Sequence, residues 1–536
     1  MPITPARATL LPRLRENTPS AVAVIALWWC LMVGAPTAVQ ADIRLPKIFC
    51  DSMVLQRQAD VHLNGTADPD EPLVLLITGT GTENRELKTV CNAQGEFSLK
   101  FAPPPVGGPY ELTLSGKTSK VVIRDVLVGD VWLCSGQSNM AWPIQKTLPE
   151  EIAATQTPRP QLRLLTVPHT ASPQPLNDIN GSVAWSLSTP ESAAEFSAVA
   201  WHFGSGLEQE LQVPIGLIHA SWGGTKAEAW LSREALTSDP SLQPLLDSAT
   251  VLGEKGKPQD QLNSLYNGMI APLRDFPIKG AIWYQGEANV GRGQQYGTLL
   301  PLLIRDWRQQ WKSPLLPFLF VQLAPFRYKS HSPDALPELW DAQLTTCKTV
   351  PRTGMAVISD LGNVDDVHPV QKLKVGRRLS NWALAEIYHG RRLIHFESTA
   401  EEIGSREPAA TPTSQVPTQS PDNGTRSHVD LYSGPLFRAA KMHERRAVVE
   451  FYSAQGLRSA DGQPLREFLL AGEDHVFHPA TAVIEEDRVV VTCDQVQRAV
   501  AVRFCWNDTP NANLVNAADL PASPFRSDSL PFPSAK

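Results

Sequence analysis

The chain lacks any run of basic residues, and its net charge is mild. Its 536 residues carry 48 Lys and Arg against 55 Asp and Glu, a formal net charge of -7. A protein that binds nucleic acid or an anionic membrane through its charge needs a positive surface to contact the phosphates. The composition therefore argues against both kinds of partner.

Cysteine is scarce, with 7 in the chain, and no Cys or His spacing matches a zinc site. No glycine-rich phosphate loop follows a strand, so a nucleotide cofactor has no support. The sequence predicts neither a metal nor a cofactor. Cys50 with Cys91 and Cys493 with Cys505 are candidate disulfides, because export would permit them. Unpaired buried thiols are an equally good interpretation.

Long apolar stretches are confined to the N-terminus. Three arginines precede the apolar residues 21–33, and Val39-Gln40-Ala41 follows them. This order is typical of a secretory signal peptide, and the apolar stretch is shorter than the ~20 residues of a membrane span. We therefore expect residues 1–41 to be a signal peptide, no membrane span after its removal, and a secreted or periplasmic protein.

The apolar pattern changes along the rest of the chain. Residues 42–123 have short alternating runs broken by Gly, Pro and Asp, which indicates a β-sandwich. Strand-like and helical segments alternate over 124–395, as in an α/β fold. A Pro-, Ser- and Thr-rich segment at 396–428 is expected to be a linker or loop. Residues 429–536 then return to β character. The prediction is a parallel α/β sheet flanked by N-terminal and C-terminal β-sandwich-type domains.

Four short polar segments each follow a strand-like apolar run. They are Gly136 to Met140, Ser221 to Thr225, Gln285 to Asn289 and Asp365 to Pro369. The carboxyl ends of the strands line one crevice in an open parallel sheet, so these segments are expected to meet there. The pattern predicts a single polar site built from four loops.

The groups in these segments fit nucleophilic attack on an ester. Ser138, in a small turn after a strand, is the predicted nucleophile. A serine hydroxyl needs a base, and the base needs a third group that holds its tautomer. His368 is the predicted base, Asp365 the predicted acid, and Pro369 the expected first residue of an anchoring helix. Asp366 competes with Asp365, and spacing alone does not choose between them.

Attack on a carbonyl also needs fixed donors for the oxyanion. The predicted donors are the backbone N–H groups of Ser138 and of Gly223 or Gly224, together with the side-chain amide of Gln285. Support of its own loop is an equal alternative for Gln285. The residues expected to support the site or bind substrate are Gln137, Asn139, Glu287 and Asn289.

The four blocks resemble those of the sialate O-acetylesterase family, within the SGNH class of esterases and lipases. The family motifs Gly-Gln-Ser-Asn-Met, Ser-Trp-Gly-Gly-Thr, Trp-Tyr-Gln-Gly-Glu and Asp-x-x-His-Pro are matched here in order. The likeness extends from about residue 43 to about residue 528. It implies an SGNH-hydrolase-like α/β fold, and it favours Asp365 as the acid because the family's aspartate stands three residues before the histidine.

The resemblance implies a carbohydrate esterase that hydrolyses O-acetyl esters of sialic acids or related sugars through an acetyl-enzyme. The implied partner is an O-acetylated sugar or glycan. One alternative is an acetyl-xylan or other polysaccharide O-acetylesterase, since the catalytic groups read only the ester. Another is a glycan-binding protein without turnover, because a fold and its motifs do not by themselves demonstrate a rate.

Overall fold

The computed structural model describes residues 42–79, 83–248, 256–394 and 431–531. The expected signal peptide at 1–41 and the expected linker at 396–428 lie outside the described residues. Among the described helices, none combines the length and apolarity that crossing a membrane requires.

A sheet of eleven strands forms the centre of the fold. The strands before residue 360 are β1 (Val54–Gln56), β2 (Val61–Thr66), β3 (Pro72–Gly79), β4 (Arg85–Val90), β5 (Glu96–Phe101), β6 (Gly107–Ser115), β7 (Lys120–Gly136), β8 (Arg159–Thr166), β9 (Ser186–Ser188), β10 (Ile215–Ser221), β11 (Gly280–Tyr284), β12 (Phe318–Val321) and β13 (Thr353–Ala356). The order across the main part is β13-β12-β11-β7-β10-β8-β9, and every neighbouring pair except β8 and β9 is parallel. The mixed α/β fold expected from the sequence is confirmed.

Helices connect these strands and cover the sheet. The α-helices are α1 (Ser138–Ala141), α2 (Pro149–Ala153), α3 (Pro190–Glu195), α4 (Ala198–Leu211), α5 (Arg233–Ser238), α6 (Gln243–Asp247), α7 (Gly293–Gln310), α8 (Ala335–Thr349) and α9 (Lys372–Trp382). Helix α4 packs against α9 and β10, while α7 packs against α8. The helix expected to start at Pro369 begins three residues later, at Lys372, whose N–H donates to the Val370 carbonyl at 2.9 Å.

Strand β7 belongs to two parts of the sheet at once. Its first half pairs with β6 and β1, and its second half pairs with β10 and β11. Where the two halves meet, the buried Asp130 carboxylate accepts from Arg57 at 2.7 Å and from Gln56 at 2.9 Å. The expected domain boundary after residue 123 therefore falls inside a strand, and β1, β3, β4 and β6 continue the central sheet.

Small antiparallel sheets make up the rest of the described chain. The C-terminal strands are β14 (Leu436–His443), β15 (Arg446–Tyr452), β16 (Arg458–Ser459), β17 (Phe468–Ala471), β18 (Phe477–Pro479), β19 (Thr481–Glu485), β20 (Arg488–Thr492), β21 (Ala501–Phe504), β22 (Leu514–Val515) and β23 (Phe525–Arg526). They form the sheets β14-β15-β20-β19, β18-β17-β21-β23 and β16-β22, and β2 pairs with β5 near the N-terminus. The Phe326 N–H, which follows β12, donates to the Asp508 carbonyl at 3.0 Å and ties this region to the central sheet.

The cysteines of the described residues are all free thiols. Cys50 and Cys91 do not pair, and neither do Cys493 and Cys505. The sequence allowed either disulfides or unpaired thiols, and the structure shows unpaired thiols.

Gly136 at the end of β7 has no room for a side chain. Its φ is +139°, and a Cβ there would lie 2.1 Å from the Tyr284 carbonyl oxygen. We expect Gly136→Ala to lower the free energy of unfolding in urea by about 3 kcal/mol or more, since backbone must move. Gly462→Ala is the control: φ is +69° in open space, so it should cost only about 1 kcal/mol. Equal losses would contradict the steric explanation.

Candidate active site

The nucleophile turn follows directly from the end of β7. The Gln137 N–H donates to the Tyr284 carbonyl at 2.9 Å, so the end of β11 holds the turn in place. Helix α1 then begins at Ser138, which is half-buried. Ser138 Oγ lies 2.9 Å from His368 Nε2. The structure brings together the predicted nucleophile and the predicted base, which are 230 residues apart in the chain.

His368 is well held and poised to accept a proton. The Trp142 ring stacks on its imidazole with the centroids 4.9 Å apart and an interplanar angle of 24°. Burial and the nearby Lys372 ammonium lower the pKa of His368, while Asp366 opposes that shift. Burial and Lys372 both favour the neutral imidazole, the form that a general base needs.

The two candidate acids occupy different places around the base. The Asp365 carboxylate pairs with the Arg327 guanidinium, and both side chains are about half exposed. Asp366 Oδ1 accepts the His368 backbone N–H at 2.9 Å and lies 3.7 Å from His368 Nδ1. That second distance is longer than a hydrogen bond. The structure thus brings Asp366 to the imidazole, and directs Asp365, the acid expected from the sequence, towards Arg327.

Gly223 lies directly against the nucleophile. A Cβ at Gly223 would be 3.3 Å from Ser138 Cβ, whereas a Cβ at Gly224 would meet nothing within 4 Å. The neighbouring Trp222 N–H donates to the Gly136 carbonyl at 3.1 Å, which ties this loop to the end of β7. Of the two glycines, Gly223 is the one next to Ser138.

Gln285 supports its own loop in the structure. Its side chain is fully buried, and its Nε2 donates to the Thr225 carbonyl at 3.2 Å and to Asn289 Oδ1 at 2.7 Å. Both amide hydrogens are thereby used, so these contacts correspond to the loop-supporting alternative and not to the oxyanion role. Asn289 in turn donates from Nδ2 to the buried Glu228 carboxylate at 2.9 Å.

Gln137 and Asn139 flank the nucleophile and tie it to the neighbouring loops. Gln137 Oε1 accepts from the Ala288 N–H at 3.2 Å. Asn139 Nδ2 donates to Glu287 Oε1 at 2.5 Å and to the Val367 carbonyl at 3.0 Å. Burial raises the pKa of Glu287, although its bond from Asn139 opposes the shift. These predicted supporting residues therefore do meet around Ser138.

Lys372 is the residue that the sequence analysis missed. Its side chain is fully buried at the first residue of α9, and its Nζ donates to Asn139 Oδ1 at 2.5 Å. The signal available in the sequence was its position, four residues after His368 and in the first turn of a helix, where a cation opposes the helix dipole.

In the part of the chain that the structure describes, no group of three or more His, Cys, Asp or Glu side chains is arranged to hold a metal ion.

Comparisons with known proteins agree on one family. A family model described as "Carbohydrate esterase, sialic acid-specific acetylesterase" matches residues 128–384, a range that includes Ser138 and His368. The sialate O-acetylesterases of Pongo abelii and Homo sapiens are each 32% identical to this chain, and the alignments cover 71% of it and 77% of each relative. This chain belongs to the sialate O-acetylesterase family.

A solved structure gives the same result at the level of the fold. A carbohydrate acetylesterase from Xanthomonas citri is 33% identical and superposes with a TM-score of 0.76, over 91% of this chain and 100% of that one. As a member of this family, the protein is an esterase with a carbohydrate O-acetylesterase function.

Replacement of Ser138 tests the nucleophile. We expect Ser138→Ala to lower turnover of a small aryl acetate by more than about a thousandfold, because no other group takes the attacking role. Its thermal unfolding midpoint should stay near that of the wild type. Ser135→Ala is the control, because that buried hydroxyl three residues earlier has no hydrogen-bond partner. If Ser138→Ala kept its activity, Ser138 would not be the nucleophile.

Proposed function

We propose that the protein hydrolyses O-acetyl esters of sialic acids or related sugars, with Ser138 as nucleophile and His368 as general base. The 2.9 Å contact between Ser138 Oγ and His368 Nε2 carries this proposal, since it joins the two reacting groups at the carboxyl end of the sheet. Membership of the sialate O-acetylesterase family supports the choice of an acetylated sugar as substrate.

The reaction proceeds by two acyl transfers. Ser138 Oγ bonds to the acetyl carbon while its proton moves to His368 Nε2. The bond between that carbon and the sugar oxygen then breaks, and His368 returns the proton to the departing sugar hydroxyl. Water attacks the acetyl-enzyme by the same route, which releases acetate and restores the free serine.

Backbone N–H groups of Ser138 and Gly223 are the proposed oxyanion donors. The close approach of Gly223 to Ser138 supports this assignment, because a side chain there would crowd the reacting carbon. Removal of one such donor typically costs ~3 kcal/mol of transition-state stabilisation. Gln285 then acts indirectly, through the loop that it shares with Thr225 and Asn289.

Asp365 is the proposed triad acid in the substrate-bound enzyme. Asp366 is already engaged by the backbone N–H of the residue it would orient. The Asp365 carboxylate is held by a half-exposed pair with Arg327, and such pairs contribute at most about 1 kcal/mol. Its carboxylate is therefore free to exchange Arg327 for the His368 imidazole, and hydrogen bonds of this kind often tighten only when substrate binds.

The pH dependences of kcat/KM and kcat together test this choice. The lowered pKa of His368 predicts a single-proton acid limb of kcat/KM below about pH 6.5 in the wild type. Asp365→Asn removes a charge that stabilises the imidazolium in the substrate-bound enzyme, so it should move the acid limb of kcat, which reports that complex, to lower pH and reduce the plateau by about a hundredfold or more. Asp366→Asn, the matched control, should change the plateau by less than about threefold. The reverse pattern would exchange the two roles.

The segments outside the site have proposed roles in export and as flanking domains. Residues 1–41 direct export, so the enzyme acts in a secreted or periplasmic compartment. The strands before and after the α/β region serve as flanking β-sandwich-type domains at 42–123 and 429–536. The continuous strand β7 makes the first of these a rigid extension of the site rather than a tethered module.

Acetate release from a panel of substrates tests the function itself. Purified protein should release acetate from O-acetylated sialic acids faster than from acetylated xylan oligosaccharides, with Ser138→Ala as the blank. Faster release from the xylan oligosaccharides would establish the polysaccharide alternative. Binding of either glycan without any acetate release would establish the non-catalytic one.

A further inference from the structure

The buried ammonium of Lys372 has an unusual environment for a charge. Its hydrogen-bond acceptor is the neutral amide oxygen of Asn139 at 2.5 Å, and the rings of Tyr284 and Trp142 lie 5.3 Å and 5.8 Å from Nζ. Removing an ammonium from water costs several kcal/mol, and the N-terminus of α9 repels it further. A lysine held at such a cost is a candidate for a functional role.

The contacts of Asn139 show what this charge can organise. Because Nζ takes the amide oxygen, Asn139 Nδ2 must face the other way, towards the Val367 carbonyl at 3.0 Å and Glu287 Oε1 at 2.5 Å. Asn139 follows the nucleophile in the chain, and Val367 precedes the base. One amide therefore joins the backbones on either side of the reacting pair.

We propose that Lys372 is a positioning residue of the esterase reaction, which fixes Asn139 between the nucleophile turn and the histidine segment. This inference rests on the proposed roles of Ser138 and His368. It adds a residue that touches neither the ester nor the oxyanion.

The charges around Lys372 and His368 determine in which direction the loss of Lys372 would shift the pKa of His368. Burial lowers the pKa of Lys372 to about 7, against the carboxylates of Glu287, Glu151 and Asp366, which raise it. Lys372 is therefore protonated over the acid range in which His368 titrates. Its charge lowers the pKa of His368 together with burial, and Asp366 acts against both. Loss of the cation should let that pKa rise and move the acid limb of kcat/KM to higher pH.

A purely structural role makes a different prediction. Replacing a buried charge with an apolar side chain of similar volume is often neutral or stabilising. If Lys372 only filled space, Lys372→Met would leave both the acid limb and kcat where they are in the wild type. The pH profile separates the two roles, because packing alone does not move the pKa of His368.

The experiment compares variants on a small aryl acetate. Lys372→Met should lower kcat by about tenfold, with little change in KM, and move the acid limb up by about half a pH unit. Lys372→Arg keeps the charge and should hold the limb near the wild-type position. Lys374→Met is the control, since Lys374 is exposed on the same helix, and its profile should match the wild type.

A second uncharged variant keeps the proposal testable if Lys372→Met does not fold. Lys372→Gln can still donate to Asn139 but carries no charge, so its limb should move as in Lys372→Met while kcat falls less. Folded Lys372→Met or Lys372→Gln protein with a wild-type limb and kcat would overturn the proposal. That result would leave the triad intact, because the proposed function fails separately, through an active Ser138→Ala enzyme.

Discussion

The site depends on the close approach of two strand ends, where the Gly136 backbone lies against the Tyr284 carbonyl. Because β7 and β11 are neighbours and parallel, the turn after each strand leaves the sheet at the same edge. The Gln137 N–H fastens the first turn to Tyr284, and its side chain reaches the N–H of Ala288 in the second. The position of Ser138 therefore follows from sheet register, and the loops have little freedom to change it.

Burial, and not an excess of charge in the chain, is the main cause of the lowered pKa of His368. The chain as a whole is mildly acidic, yet the charged group that most favours a neutral His368 is the buried cation Lys372. The neutral side-chain amide of Asn139 accepts a hydrogen bond from Lys372 and donates one to Glu287. Burial raises the pKa of Glu287. Polar groups here are costly to bury, and Lys372, Asn139 and Glu287 are joined to one another by hydrogen bonds.

The sequence predicted the α/β class of the fold and the meeting of Ser138 with His368, because both depend on local signals. Apolar strands ending in Gly, Ser and Asn turns are visible residue by residue, and they led to Ser138 and His368. Other features depend on contacts between distant segments. The partner of Asp365 is Arg327, 38 residues earlier, and the partner of Lys372 is Asn139, 233 residues earlier. No periodicity or spacing predicts such pairs. The continuous β7 was missed for the opposite reason: the composition and the pairing partners both change inside it, although the strand itself is unbroken.

The proposed catalytic groups differ in how firmly the fold holds them. Ser138 and Gly223 follow the buried ends of β7 and β10, and backbone hydrogen bonds at those ends hold both loops. Asp365 stands in an exposed turn and is paired with Arg327, another half-exposed group. A weak surface pair is easily exchanged when a ligand changes the local charge or excludes water. Asp365 is thus the proposed site residue whose placement is easiest to change on binding, so a substrate that contacts the half-exposed Arg327 is the kind that would release its carboxylate.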